Sequence, residues 1–143
     1  IKRQKSNELY KETKETVDQV VVDSDIIIDY LRTGGGLMIS LLKAQLEGRI
    51  RINISVVSIY ELLVGRSSKE EEGVILEMIG KFNTISLDDK IAKLAGELTR
   101  DNKFESSGPF DIFIAATAIL CDSPLATKNK KHFSKIPNLK LYK

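Results

Sequence analysis

Three acidic residues, Asp23, Glu61 and Asp111, stand where their type and placement suggest chemistry. Asp23 follows the run Val20-Val21-Val22 directly, and Ser24 and Asp25 continue the chain into the next segment. Glu61 lies in SVVSIYELLVG, just after a β-branched stretch that ends near Ile54. Asp111 follows Gly108-Pro109-Phe110 and opens the most apolar helical stretch of the chain. Each acid has an ordinary explanation. Asp23 or Ser24 can cap a helix, Ser58 and Glu61 match an S-x-x-E capping box, and Asp111 complements a helix dipole behind a proline. Those local roles do not explain why acids recur at the starts of helices after three separate crossovers. Carboxylates that converge on one pocket repel unless a hard cation neutralises them, and oxygen-only ligands favour Mg²⁺ or Mn²⁺ over zinc. The chemistry that fits is metal-assisted hydrolysis.

Other chemistries lose their residues. His132 is the single histidine, which excludes two-histidine acid–base catalysis on RNA. No GxxxxGK[ST], GxGxxG or GxSxG occurs, so the common nucleotide-binding loops and the serine-hydrolase elbow are absent. Cys121 is the only cysteine and sits in an apolar stretch, so it is expected to act as a small core hydrophobe.

To bring the acids together, the chain needs a scaffold that presents strand ends side by side. Short β-branched runs at 20–22, 52–54, 84–87, 124–127 and 139–142 alternate with helical-period segments. The helices are expected near 26–31, around Leu37, Leu41, Leu42 and Leu46, around Ile59, Leu62 and Leu63, and over 75–79, 91–98 and 110–120. Such alternation predicts an α/β fold, a mostly parallel β-sheet flanked by helices on both faces, because parallel strands need crossover connections. In open parallel sheets, ligands bind beyond the carboxyl ends of the strands, where Asp23 falls. The run of three glycines at 34–36 reads as a helix break.

With 143 residues, 42% hydrophobic and 29% charged, the chain can bury a single core. Its longest apolar run, residues 112–121, is about half the roughly 20 residues that cross a bilayer, so a soluble cytoplasmic protein is expected. Residues 1–18 are polar and read as an N-terminal extension or docking helix ahead of a domain at 19–143. The first residue is Ile rather than Met, so residue 1 is not expected to be the natural start. The net charge is only +2, yet Lys128, Lys130, Lys131, Lys135, Lys140 and Lys143 make the C-terminal segment basic. That segment is either a solvated tail or a phosphate-facing rim, with Lys128, Lys130 and Lys131 as candidates to meet an RNA backbone.

VVVDSD, SVVSIYELLVG, PFDIFIAATAIL and PLATKNKKHF, in that order, resemble the successive motifs of PIN-domain nucleases over residues 20–142. The likeness is greatest to the toxin-type, VapC-like ribonucleases of toxin–antitoxin pairs. The resemblance implies that Asp23, Glu61 and Asp111 form a Mg²⁺ or Mn²⁺ site, with Ser24 and Thr127 supporting it by hydrogen bonds. Asp25 falls where relatives often carry Asn or Ser, so it is expected behind the ligands. Many relatives place a fourth acid after the PLAT strand, where this chain has Asn129 and then His132. One ion held by the acids and a weaker second position near Asn129 are therefore expected. The resemblance also implies an RNA substrate, a homodimer and a cognate antitoxin. For the dimer, Leu37, Met38, Leu41 and Leu42 are the candidate surface, the alternative being that this stripe packs on its own sheet.

Two alternatives compete with this reading. A HAD-type phosphatase also opens on hhhDxD, with Asp23 as nucleophile, Asp25 as acid and Asp88-Asp89 as a later acidic motif, but it leaves ELLVG and DIFIAATAI without a role. A degenerate PIN domain that only binds RNA or protein is the nonenzymatic reading, suggested by the missing fourth acid.

Overall fold

The computed structural model describes residues 17–102 and 108–143. The expected extension or docking helix at the N-terminus lies, for residues 1–16, outside them. Among the described residues four parallel strands form one sheet: β1 (Asp18–Val22), β2 (Ile50–Ser55), β3 (Asn83–Ile85) and β4 (Leu125–Ala126). Among the described residues the helices are α1 (Ser24–Thr33), α2 (Leu37–Leu46), α3 (Val56–Val64), α4 (Lys69–Ile79), α5 (Asp89–Asn102), α6 (Pro109–Leu120) and α7 (Lys130–Phe133). No helix among them is long and apolar enough to cross a membrane.

The sheet order is β3-β2-β1-β4. The chain therefore steps outward from β1 to β2 to β3, then crosses back to lay β4 on the other side of β1. That reversal opens a crevice between the carboxyl ends of β1 and β4, the place where doubly wound sheets bind ligands. Alternation along the strands divides the core. Val20, Val22, Ile52 and Ile54 pack against α1, α2 and α4 through Ile26, Ile27, Met38, Leu41, Ile75 and Met78. Val21 and Leu125 face the other layer, with Ile91, Ala95 and Leu98 of α5, the small and branched residues of α6, and Phe133. The small side chains Ala115, Ala116 and Ala118 let α6 lie close to the sheet while fully buried.

Asn53, like Ser55 at the strand's end, is a buried polar residue of β2. Its amide donates to Gln19 Oε1 at 2.9 Å and its carbonyl accepts from Asn83 Nδ2 at 2.9 Å, so a side-chain ladder runs across three strands with its polar atoms satisfied.

Several expectations change. LKLY at 139–142 is not a strand: Leu141 makes one parallel bridge to Leu125, supported by Leu125 N–H to Lys140 O and Tyr142 N–H to Leu125 O. The reason is its partner, since β4 spans only two residues and offers no longer ladder. Ser58 does not cap α3. Strand β2 runs on to Ser55, whose Oγ accepts from Val57 N–H at 3.1 Å, leaving Ser58 buried inside the helix with its hydroxyl unpartnered among the described residues. Met38 and Leu41 are fully buried in their own core and cannot be dimer surface, while Leu37 and Leu42 are partly buried against it. Cys121 ends α6 half-buried rather than inside the core, and burial pushes its thiol up, away from the reactive thiolate.

The glycine run has a defined geometry. Gly34 ends α1 at φ 70°, its N–H donating to Tyr30 O at 2.8 Å, and Gly36 opens α2 at φ 82°. A Cβ on Gly36 would also collide with the Asp29 carboxylate. Gly36→Ala is expected to lower stability by about 1–3 kcal/mol through left-handed strain and that contact. Urea unfolding with an unchanged midpoint would refute this.

Candidate active site

The carboxyl end of β1 carries Asp23 into the crevice. Asp23 is the N-cap of α1, where its Oδ1 accepts the Ser24 N–H at 2.8 Å, and it is only 6% exposed. The local capping role and the site role thus coincide on one residue. Across the crevice, Thr127 follows β4 and its Oγ1 lies 2.8 Å from Asp23 Oδ2 and 3.1 Å from Asp25 Oδ2. Thr127 has one hydroxyl proton, so it donates to one carboxylate at a time. Burial, with Asp25 next and Asp111 further off, pushes the Asp23 carboxyl up to about 7, against the pull of Thr127 and Ser24. A neutral Asp23 donates to Thr127 Oγ1 while Thr127 donates to Asp25, and the Asn129 N–H reaches the same oxygen at 3.1 Å. That arrangement satisfies the hydroxyl completely.

Asp25 is tied to the β4 end by more than Thr127. Lys128 N–H approaches its carboxylate at 3.1 Å, and Lys128 Nζ pairs with Asp29 at 3.1 Å. Asp25 and Asp29 are four residues apart on α1, so they share one face, and Lys128 straddles both. Burial raises the Asp25 carboxyl, opposed by the Lys128 N–H and Thr127. Asp29 is a site neighbour that the sequence motifs do not mark, its one visible signal being the i, i+4 spacing from Asp25.

Helix α3 supplies Glu61, placed by the Ser55 cap at the carboxyl end of β2. Ser24 Oγ donates to Glu61 Oε1 at 3.3 Å, linking the β1 and β2 ends. Burial raises the Glu61 carboxyl; the Ser24 hydroxyl works against the shift, and the charges of Asp111 and Asp25 add to it. Asp111 arrives from α6, in whose first turn it stands behind Pro109. Its Oδ2 lies 3.4 Å from His132 Nε2, both side chains being about one-fifth exposed. The single histidine therefore turns toward the acids rather than to solvent beside Lys131. Nothing in the sequence distinguished these outcomes, because the contact depends on how α7 folds back.

The structure thus gathers Asp23, Asp25, Ser24, Glu61 and Thr127 around the crevice by hydrogen bonds, and Asp111 lies near enough for its charge to act against those of Asp23 and Glu61. It does not bring every candidate in. Asn129 is exposed and precedes α7, and its side chain makes no capping hydrogen bond. Lys130 and Lys131 are exposed on α7, and Lys128 is held by Asp29. Asp88 caps α5 by accepting the Ile91 N–H at 2.9 Å, and Asp89 pairs with Lys93 on the surface, so the acidic pair that would serve a phosphatase belongs to helix architecture.

Among the described residues no three His, Cys, Asp or Glu side chains form a ready-made ligand cage. Each carboxylate is instead turned to a proton donor: Asp23 to Thr127 and Ser24, Glu61 to Ser24. The donor set is nevertheless oxygen throughout at the acids, and several of those acids raise one another. A hard divalent cation matches that set, since it would take the remaining carboxylate lone pairs and offset the repulsion.

Comparison with known proteins agrees with this architecture. The PIN domain family matches residues 20–139. Ribonuclease VapC1 of Methanocaldococcus jannaschii is 29% identical over 138 residues, covering 94% of this chain and 94% of that protein. Ribonuclease VapC10 of Mycobacterium tuberculosis is 34% identical over 123 residues, covering 85% and 90% respectively. Among solved structures, VapBC2 from Rickettsia felis bound to a DNA fragment from their promoter matches with a TM-score of 0.75 at 25% identity, over 87% of this chain and 97% of that one. The phosphatase alternative falls with these matches. A sheet that reverses at β1, acids at its strand ends and a family match over most of the chain lead to one assignment: this chain belongs to the PIN-domain family, as a VapC-like nuclease.

Proposed function

We propose that the chain is a Mg²⁺- or Mn²⁺-dependent endoribonuclease, the toxin of a toxin–antitoxin pair, acting in the cytoplasm as a homodimer restrained by a cognate antitoxin. The observation that carries this reading is the buried Asp23 at the switch point, bound to Thr127 across the crevice in company with Asp25. Asp23 and Asp111 would hold the cation, with Glu61 taking part directly or through water. When bound, a divalent ion supplies Lewis-acid activation of water and neutralises charge at the phosphate. Ser24 fixes the Glu61 carboxylate, and Thr127 fixes Asp23 and Asp25, so the acids are oriented before substrate arrives. Lys130 and Lys131, exposed on α7, and Lys128, which pairs with Asp29, would add positive charge for phosphate groups of the RNA backbone. The VapC names of the relatives support RNA as substrate, and the VapBC structure supports a partner protein.

The test is cleavage of total cellular RNA by the purified protein. Mg²⁺ or Mn²⁺ should permit cutting, EDTA should stop it, and added metal should restore it. Cutting that survives EDTA removes the metal from the mechanism. A protein that binds RNA but cuts it with neither ion is the binding module instead.

Asn129 gives a finer expectation. A neutral amide contributes one unit of charge less than the acid many relatives have, so a second ion near it is held weakly. Asn129→Asp should lower the Mg²⁺ concentration for half-maximal cleavage, and Asn129→Ala should raise it. If neither substitution moves that concentration, Asn129 serves only the turn before α7.

A further inference from the structure

Tyr60 and Phe110 are large aromatic side chains left on the surface, 55% and 41% exposed. Each directly precedes a site acid: Tyr60 stands before Glu61 on α3, and Phe110 before Asp111 in the first turn of α6. Helix α3 reaches both cores, Leu62 on the α1 side and Val57 on the α6 side, and the Tyr60 and Phe110 ring centroids are 5.5 Å apart at an interplanar angle of 60°. The two rings therefore form one apolar surface on the rim of the acidic crevice. Packing does not account for it. Rings of this size contribute to stability mainly when buried, and an exposed pair adds about 1 kcal/mol. The tilt also keeps the rings from closing face to face, so ring surface remains open to a third flat group.

A ligand that meets both this surface and a cation-binding crevice has an uncharged planar face next to an anionic centre. A nucleotide of a single strand has that form: its base stacks on aromatic rings once unpaired, while its phosphate lies in the charged groove. We propose that Tyr60 and Phe110 form the stacking platform for an unpaired RNA base adjoining the scissile phosphate, so that the platform selects single-stranded substrate. The proposal rests on the reading of the chain as a metal-dependent ribonuclease. It assigns these residues to binding and positioning, with no part in proton transfer. A second copy of the chain covering the rings is the competing occupant, and it makes a different prediction.

The experiment uses a pool of short unstructured RNAs of randomised sequence, cleaved with Mg²⁺ or Mn²⁺, and an abasic ribose-phosphate oligomer of the same length as competitive inhibitor. Loss of one stacking ring should raise the apparent KM about tenfold for Tyr60→Ala and for Phe110→Ala, with kcat changed much less. Phe110→Leu, which keeps apolar bulk without a ring, should behave like Phe110→Ala, and Tyr60→Phe should keep the wild-type KM. The inhibition constant of the abasic oligomer, which has nothing to stack, should not move. An unchanged KM overturns the proposal, as does an abasic inhibition constant that weakens in step with KM. A shift of the alanine variants to a smaller species in light scattering also overturns it and assigns the rings to a protein interface. Wild-type protein that leaves the pool uncut with both ions overturns the ribonuclease reading, and the platform with it.

Discussion

RNA cleavage by Asp23→Asn is expected to fall about a thousandfold or more below wild type, with the fold intact. The substitution is close to isosteric. Asn Oδ1 can still accept the Ser24 N–H that caps α1, and Asn Nδ2 can donate to Thr127 Oγ1, which has lone pairs to receive it. What disappears is the charge at the most buried acid of the crevice, and with it a unit of attraction for a hard cation. Asp111→Asn should produce a loss of similar size, because it removes the acid that α6 contributes and that faces His132. Circular dichroism and thermal midpoint serve as controls: both variants should keep the wild-type spectrum and melt no lower than wild type. If both variants cut RNA at the wild-type rate in Mg²⁺, the cation is held elsewhere and the proposed roles of these acids are wrong.

The acids were visible in the sequence because strand ends and helix starts have strong local signals. Three valines before Asp23, and a Gly-Pro before a run of small apolar residues at Asp111, place both acids without any tertiary information. The parallel sheet and its helices follow from the same alternation. What local pattern could not show is which strand ends become neighbours. β4 lies beside β1 rather than β3, and that choice brings Thr127 and Lys128 onto Asp23, Asp25 and Asp29 across about a hundred residues of chain. His132 and the Tyr60–Phe110 pair were hidden for a related reason, since each contact joins side chains on separate elements, α7 with α6 and α3 with α6.

The misplaced features have equally specific causes. Ser58 and Glu61 match a capping box, but β2 extends to Ser55 and the first serine in the path takes the cap. A stripe of Leu37, Met38, Leu41 and Leu42 looks the same in sequence whether it meets a second subunit or its own sheet; here Met38 and Leu41 meet the sheet.

The final expectation concerns pH. Asp23 has a folded-state value of about 7 against 3.8 when unperturbed, so between those values the folded chain holds more protons than the unfolded one. Stability without metal must then fall as pH rises through that window. The contribution of the neutral carboxyl is whole below about pH 4 and gone above about pH 7, a loss of about 4 kcal/mol at most for this one group. Asp25 and Glu61 are shifted in the same direction, so they add to the slope rather than cancel it. Divalent ions bind the charged carboxylates and thus compete with protons. In EDTA, the thermal midpoint of the wild type should drop by about ten degrees between about pH 5 and about pH 8 relative to Asp23→Asn, which has no proton to lose at that position. Added Mg²⁺ should recover the wild-type midpoint near pH 8, have little effect near pH 5, and do little for Asp23→Asn at either pH. A wild type and an Asn variant with parallel pH profiles in EDTA would show that Asp23 is charged at no cost to the fold, and that the crevice needs no cation to hold it.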